Sequence, residues 1–347
     1  MYKKYSKKSI INITENELRA KNLIKKHTRG RKTLVRKEKI IAFILVEKIL
    51  VSPYREMELD GDSYLPHRYD HSLYQYHYTC LSEETLHEIS LVFERRCEQL
   101  LNEILLHIVD STALSTSVRE ERLRQGTRNK EKLTTKYHTM IGYDPPNQMI
   151  IVEHSIASDN HLSDGKGAEW MIQKSPKKGY LFGDRAYETY GLLELAKMIG
   201  LEPIIKPTKK NVKKKLSVKA GLRKIWNGNH SRMYKDIRGT GECLYGAGTR
   251  AGLIHTNSIL DKNRKKDSLI LDIRQNILSY LRLEVFKALF DKLINKPTTY
   301  KLLCNICTAL NPYILVRYLL CFMKHFGNIL MHKSHTCPRW FLCRRIL

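Results

Sequence analysis

The sequence predicts an α/β protein with a mixed β-sheet flanked by helices, and with mostly helical regions before and after it. Residues 136–143 and 148–155 read as two strands, and the turn-forming run 144–147 between them indicates an antiparallel hairpin. Residues 179–206 then read as strand, helix and strand, which is the pattern of parallel strands joined by a crossover helix. A hairpin followed by such a unit predicts a mixed sheet with helices on its faces.

The first hundred residues are predicted to be mostly helical. Residues 34–51 carry apolar side chains at helical spacing and stop before a Ser-Pro pair. Ser82 is suited to cap a long helix that ends near His107, with its apolar side chains in one stripe. Residues 52–80, rich in Tyr, His, Asp and Pro, are predicted to be a linker.

Two aspartates follow predicted strands in the central part of the chain. A short strand at 108–109 is expected to end in Asp110-Ser-Thr, and the strand from Gly179 runs into Asp184. Because ligands of such sheets bind at the carboxyl ends of strands, both aspartates are candidates for one site. The other predicted elements here are helices over 164–173, 187–199 and most of 231–294, and a strand over 202–206. Gly200 is expected to end the second of these helices.

The charge of the chain indicates a polyanionic partner. Among 347 residues there are 61 Lys and Arg against 35 Asp and Glu, a net charge of +26. The excess is concentrated in residues 1–57, 206–224 and 331–347. Nucleic acid is the commonest polyanion and the favoured partner, with an anionic membrane surface as the alternative.

The cysteine content and the chain start favour a reducing compartment, the cytoplasm or the nucleoid. Eight cysteines do not form a disulfide framework in a chain of this length, and the first residues lack an apolar signal core. The most apolar long stretch, 314–331, is interrupted by Arg317, Lys324 and His325. No membrane-spanning segment is therefore predicted.

Four motifs stand in order on the predicted elements: Val109-Asp-Ser-Thr112, Lys136-Tyr-His138, Gly183-Asp-Arg-Ala-Tyr187, and the run Tyr234, Arg238, Glu242. In these motifs, over about residues 105–250, the chain resembles the DDE transposases encoded by insertion sequences. The resemblance implies an RNase H-like catalytic core in which Asp110, Asp184 and Glu242 bind two Mg²⁺ or Mn²⁺ ions. It also implies cleavage at the ends of a mobile element, transfer of 3′ hydroxyls into target DNA, and at least a homodimer in the active complex.

Carboxylates suit this chemistry. Cutting a phosphodiester needs an activated oxygen nucleophile and a stabilised leaving oxygen, and two cations about 4 Å apart serve both ends of the displacement. Mg²⁺ and Mn²⁺ prefer oxygen ligands, whereas cysteine favours zinc. Three carboxylates can hold two such ions and leave room for a DNA phosphate.

Each carboxylate also has a purely structural interpretation. Asp110 could be a turn residue, and Asp184 could cap the helix that follows it. Glu242 and Arg238 are four residues apart, so they could form an ion pair on one face of a helix. That helix is disfavoured by glycines at 239, 241, 246 and 248, at about 1 kcal/mol each.

The third carboxylate has competitors. The family often has a basic residue about seven positions after its glutamate, and here Arg250 comes one position later. Glu188 and Glu194 are less favoured alternatives, because they follow Asp184 closely. His161 and Asp164 resemble an Asn-x-His-Asp stretch of the family, with a different spacing.

Basic and aromatic side chains around the motifs are expected to contact DNA. Lys136 and His138 lie on one face of their strand, since side chains alternate, and Arg238 could bind a phosphate through two bonds. The lysines of the basic loop would bind the backbone without reading sequence. The full set is Lys136, His138, Arg185, Lys209, Lys210, Lys213, Lys214, Lys215, Tyr234, Arg238 and Arg250.

These observations predict three regions. Residues 1–106 form a basic, mostly helical DNA-binding region, residues 107–295 the RNase H-like catalytic domain, and residues 296–347 a helical extension containing Cys and His. Cys304 and Cys307 have the spacing of zinc ligands, but they stand in an apolar stretch, which favours buried thiols. The predicted function is a DNA transposase; the alternatives are a metal-dependent nuclease without strand transfer and a catalytically inactive DNA-binding relic.

Overall fold

A computed structural model gives the architecture of the chain. It describes residues 5–24, 35–101, 104–116, 135–158, 162–174, 177–207, 226, 229–253, 255–256 and 261–294. The basic loop with Lys209, Lys210, Lys213, Lys214 and Lys215, His161 and the extension 296–347 lie outside these residues. The chain divides into a large compact unit, residues 1–144 and 150–284, and a small one, residues 145–149 and 285–347. Of the small unit, only a turn at 145–149 and the end of one helix are described.

Nine α-helices and six strands are assigned within these ranges. The helices are α1 (Lys7–Ala20), α2 (Lys37–Ile49), α3 (Tyr54–Tyr64), α4 (His71–Cys80), α5 (Glu83–Leu100), α6 (Asp164–Lys174), α7 (Tyr190–Met198), α8 (Asn229–Arg250) and α9 (Asp261–Ile294). The strands are β1 (Leu106–Thr116), β2 (Thr135–Asp144), β3 (Met149–Ser158), β4 (Gly179–Gly183), β5 (Leu201–Ile205) and β6 (His255–Thr256). No helix in the described ranges combines the length and apolar content that a bilayer crossing needs.

The strands form the mixed sheet that the sequence predicts. Their order is β3-β2-β1-β4-β5, with β1 antiparallel to β2 and parallel to β4, and β4 parallel to β5. The short β6 pairs in parallel with the far end of β1. Pro203 lies in β5, an edge strand, where a missing amide hydrogen costs no bond to a neighbour.

Alternating side chains of the sheet build a core on each face. Val109 of β1 packs with apolar residues of α6 and α7, whereas its neighbour Ile108 packs with residues of α8. The helices therefore flank the sheet on both sides, which is compatible with an RNase H-like arrangement. Gly200, in the left-handed region at φ 92°, ends α7 as the sequence predicts.

A separate helical core contains residues of α1 to α5 together with the apolar face of α9. The predicted linker at 52–80 is wrong, because most of it forms α3 and α4. Tyr74 and Tyr78, four residues apart on α4, are buried in this core, and Asp70 caps the helix by accepting from the Ser72 amide. Residues 52–80 were predicted to be a linker because their composition is polar, but tyrosine rings form the buried apolar face of α4. The cap predicted for Ser82 is confirmed by its bond from the Thr85 amide at 3.1 Å, although α5 ends at Leu100 rather than near His107.

Polar side chains of α9 close the free edge of β3. The amide of Asn276 accepts from the Val152 N–H at 2.8 Å and donates to the Val152 carbonyl at 2.9 Å, as a neighbouring strand would. The adjacent Gln275 and, about one turn further along α9, Ser279 both donate to the Ile150 carbonyl, at 2.9 and 2.6 Å. At Ile150 and Val152, side chains of α9 therefore take the place of a neighbouring strand.

Asp272 of α9 is buried against the same two strands. Its carboxylate oxygens accept from the hydroxyls of Tyr137 on β2 and Ser155 on β3. Burial raises the pKa of Asp272 to about 7, even though both hydrogen bonds favour the charged form. The folded protein therefore holds a proton there at a pH at which the unfolded chain has released it.

Asp272 is expected to make the protein less stable as the pH rises. A folded pKa of about 7, above the ordinary value of 3.8, means that its favourable contribution is complete below about pH 4 and is lost as the pH rises to 7. The slope is at most about 1.4 kcal/mol per pH unit. Denaturant unfolding at pH 5 and pH 8 should show a smaller pH effect for Asp272→Asn, which can still accept from Tyr137 and donate to Ser155. Equal pH effects in the two proteins would contradict the prediction.

Candidate catalytic carboxylate site

Asp110 and Asp184 lie side by side on the two central parallel strands. The pairing of β1 with β4 aligns Ile108 with Phe182. Asp110 and Asp184 each come two residues after this pair, so the same register places them next to each other. Because side chains alternate, Asp110 faces the α8 side like Ile108. Asp184 follows β4 directly, as the sequence predicts, and its Oδ1 accepts from the Ala186 amide at 2.8 Å.

The prediction that the first strand ends at Asp110 is wrong. β1 continues through it to Thr116, since residues 106–114 pair with β2 and the last two residues pair with β6. Asp110 thus stands at the middle of a long strand, level with the end of its shorter neighbour β4. The carboxyl end of β4, rather than that of β1, opens the space next to Asp110.

Helix α8 brings Glu242 to the aspartates. The helix is continuous despite its four glycines, because Tyr234, Ile237 and Leu244 bury one face against the sheet. A Cβ on Gly241 would lie 3.4 Å from Asp110 Oδ2, so this glycine lets the helix backbone pass close to the carboxylate. Glu242 follows directly, with a side chain that is 65% exposed.

The pKa of Asp110 reflects its burial and the nearby charges of Asp184 and Glu242. Burial raises the pKa of Asp110 to about 6, and the negative charges of Asp184 and Glu242 add to the rise. The Ser111 amide, which donates to Asp110 Oδ1 at 2.9 Å, and the guanidinium of Arg238 act in the opposite direction. A cation bound here would reduce the repulsion between the half-buried Asp110 carboxylate and the two neighbouring acids.

The donor set suits hard divalent cations, because all three side chains offer carboxylate oxygens. Their oxygens do not all lie within 4.8 Å of one another; in the described ranges only Glu58, Asp70 and His71 meet that spacing. Those three already pair with one another at the surface of α3 and α4: His71 Nδ1 lies 3.3 Å from Glu58 and 3.6 Å from Asp70, and Glu58 also accepts from Arg68.

The predicted DNA-contacting residues of α8 differ in exposure. Arg238 is partly exposed, and its Nη2 lies 3.8 Å from Glu242 Oε1 one turn along the helix. Arg250, at the end of α8, and Arg185, just after Asp184, are exposed. Tyr234 is only 5% exposed and packs edge-on against Trp226, so its ring lies beneath the site rather than on its surface.

Four residues meet on the opposite face of the sheet from Asp110. Ser111 Oγ lies 2.5 Å from Asp164 Oδ1 and Lys136 Nζ lies 2.8 Å from the same oxygen. His138 Nδ1 is 3.6 Å from it, too far for a hydrogen bond. His138 is completely buried, so the expectation that it contacts DNA is wrong in this conformation.

Sequence analysis did not connect Asp164 with the two aspartates. The only sequence signal was the Asn-x-His-Asp likeness around Asp164, which carried no structural role. The link through Ser111 depends on the pairing of β1 with β2, which places Ser111 opposite His138, and on the position of α6 over these strands.

Comparisons with known proteins give little for this chain. No protein-family model matches it, and no curated protein is significantly similar to it. Among solved structures, it is similar to the cryo-EM structure of a piggyBac transposase synaptic complex with hairpin DNA. The TM-score is 0.35 and the sequence identity 10%, over 89% of this chain and 82% of that one. A likeness of this size is too low to assign a fold.

Proposed function

We propose that the protein is a DDE-type DNA transposase that uses Asp110, Asp184 and Glu242 to bind two divalent cations. One observation carries the proposal: two aspartates stand level on the central parallel strands, and the helix that crosses them presents a glutamate. The sequence resemblance supports the same three residues.

Each of the three carboxylates would hold cations from a different side of the site. Bound Mg²⁺ or Mn²⁺ ions would supply an activated oxygen nucleophile and a stabilised leaving oxygen at a DNA phosphate. Asp110, fixed by the Ser111 amide, and Asp184, fixed by the Ala186 amide, would hold ligand oxygens at set positions. Glu242, with its exposed side chain, would complete the site from the helix side.

DNA is the proposed partner because of charge. The chain carries a net charge of +26, and Arg185, Arg238 and Arg250 are exposed or partly exposed around the carboxylates. We further propose that residues 1–106 bind the ends of the mobile element, that residues 107–295 form the catalytic domain, and that the active complex is at least a dimer.

The proposal is tested with DNA carrying the sequences that flank the gene, incubated with the wild-type protein and Mg²⁺ or Mn²⁺. We expect metal-dependent cleavage and joining of 3′ ends to a target plasmid. Asp184→Asn should lose both products but keep DNA binding, while Asp236→Asn, an exposed carboxylate on the same helix as Glu242, should behave as wild type.

Each rival function predicts a different outcome of the same assay. Cleavage without joined products would favour a metal-dependent nuclease over a transposase. DNA retention with no product from the wild-type protein would favour an inactive binding relic. Cleavage by Asp184→Asn at the wild-type rate would overturn the assignment of the site.

A further inference from the structure

The cluster behind Asp110 contains a carboxylate that the proposed cation site does not use. Asp164 is the first residue of α6, and Ser111 and Lys136 converge on its Oδ1. Burial raises the pKa of Asp164, but the bonds from Lys136 and Ser111 and the charge of Lys136 outweigh burial, so the pKa is lowered. Asp164 is therefore a fixed negative charge, paired with Lys136.

Ser111 joins Asp164 to Asp110 through the strand. Its hydroxyl bonds Asp164 on the α6 face of the sheet, and its amide donates to Asp110 Oδ1 at 2.9 Å. Neighbouring residues of a strand point to opposite faces, so a single residue can hold groups on both. A displacement of Ser111 would change the bond that orients the Asp110 carboxylate.

The first turn of α6, which carries Asp164, lies very close to Thr189 and His138. A Cβ on Gly165 would lie 2.3 Å from Thr189 Cγ2, and a Cβ on Gly167 would lie 2.8 Å from His138 Nδ1. Both glycines belong to the first turn and let it lie directly against Thr189 and the buried imidazole of His138. The position of Asp164 is therefore set by packing on both sides as well as by its bonds.

We propose that Asp164 is a positioning residue that orients Asp110 through Ser111 and thereby tunes cation binding at the carboxylate site. The inference rests on the proposed function, because it assigns Asp110 as a cation ligand. Asp164 does not touch the cation itself; it acts only through the strand. Outer groups that fix a ligand are commonly worth about 10- to 100-fold in metal affinity or activity.

The test is a double-mutant cycle on Mn²⁺ affinity, measured by calorimetry without DNA. Asp164→Asn and Ser111→Ala should each weaken Mn²⁺ binding by about 10-fold, and the double variant should be no weaker than either, since both changes break one link. Glu169→Gln, on the same helix and bonded only weakly to Thr189 at 3.4 Å, should bind Mn²⁺ as wild type. With DNA, Asp164→Asn should lower kcat and leave KM unchanged.

The outcomes separate this inference from the proposed function. Additive losses in the double variant, or unchanged Mn²⁺ affinity in Asp164→Asn, would overturn the positioning role. A raised KM for DNA at unchanged kcat would assign Asp164 to DNA contact through Lys136 and would also overturn it. If the cycle is non-additive but the wild type leaves DNA intact, the positioning role holds and the transposase function fails. A wild type that binds no Mn²⁺ contradicts both.

Discussion

Replacing Asn276 with alanine is expected to destabilise the protein by about 3 kcal/mol or more. The amide of Asn276 is fully buried and bonds both backbone groups of Val152, and it also reaches the carbonyl and hydroxyl of Ser90 on α5 at 3.2 and 3.0 Å. Alanine would leave a buried N–H and two buried carbonyls without that partner, and each such group costs about 1–3 kcal/mol. Denaturant unfolding monitored by circular dichroism measures the loss.

Gln275→Ala is the matched control for this prediction. Gln275 donates to the Ile150 carbonyl at 2.9 Å, but Ser279 donates to the same carbonyl at 2.6 Å, so the oxygen keeps a partner when the glutamine is removed. The control should cost less than about 1 kcal/mol. Equal costs for the two variants would mean that closure of the β3 edge by Asn276 does not contribute to stability.

The local parts of the fold are predictable from the sequence because their signals are local. The cap at Ser82, the turn after α7 at Gly200 and the strand that ends before Asp184 depend on residues a few positions apart. The failure at 52–80 has a physical reason as well. Tyrosine counts as polar in a composition, yet Tyr74 and Tyr78 bury their rings in the helical core.

The contacts that the sequence missed, in the fold and at the site, depend on distant pairing. Asn276 meets Val152 across 124 positions, and Asp164 meets Ser111 across 53. Neither contact has a periodicity or a cap that would reveal it. The length of β1 was missed for the same reason, because its residues after Asp110 are held by pairing with β2 as far as Leu114 and then with β6, which follows α8. The sequence motifs thus predict the carboxylates of the candidate site, whereas the fold shows which neighbouring groups hold Asp110 and Asp164.

Replacing Glu242 with glutamine is expected to lower metal-dependent DNA cleavage by about 10²- to 10³-fold. Glutamine keeps the shape of the side chain but removes the charge that helps to hold a cation, and a bound cation supplies several kcal/mol of transition-state stabilisation. The side chain is 65% exposed, so the change should not affect folding. Cleavage rates at saturating Mn²⁺, with DNA binding measured in parallel, test this.

The control is Glu194→Gln, because Glu194 is exposed on α7 and is the alternative third carboxylate closest in character to Glu242. It should cleave within about twofold of wild type. If Glu194→Gln is the inactive variant, the third ligand comes from the helix after Asp184. Removing Glu242 also frees Arg238 from its ion pair, so Glu242→Gln should bind DNA at least as tightly as wild type. Loss of cleavage with retained or tighter DNA binding would therefore separate a cation ligand from a residue that merely contacts DNA.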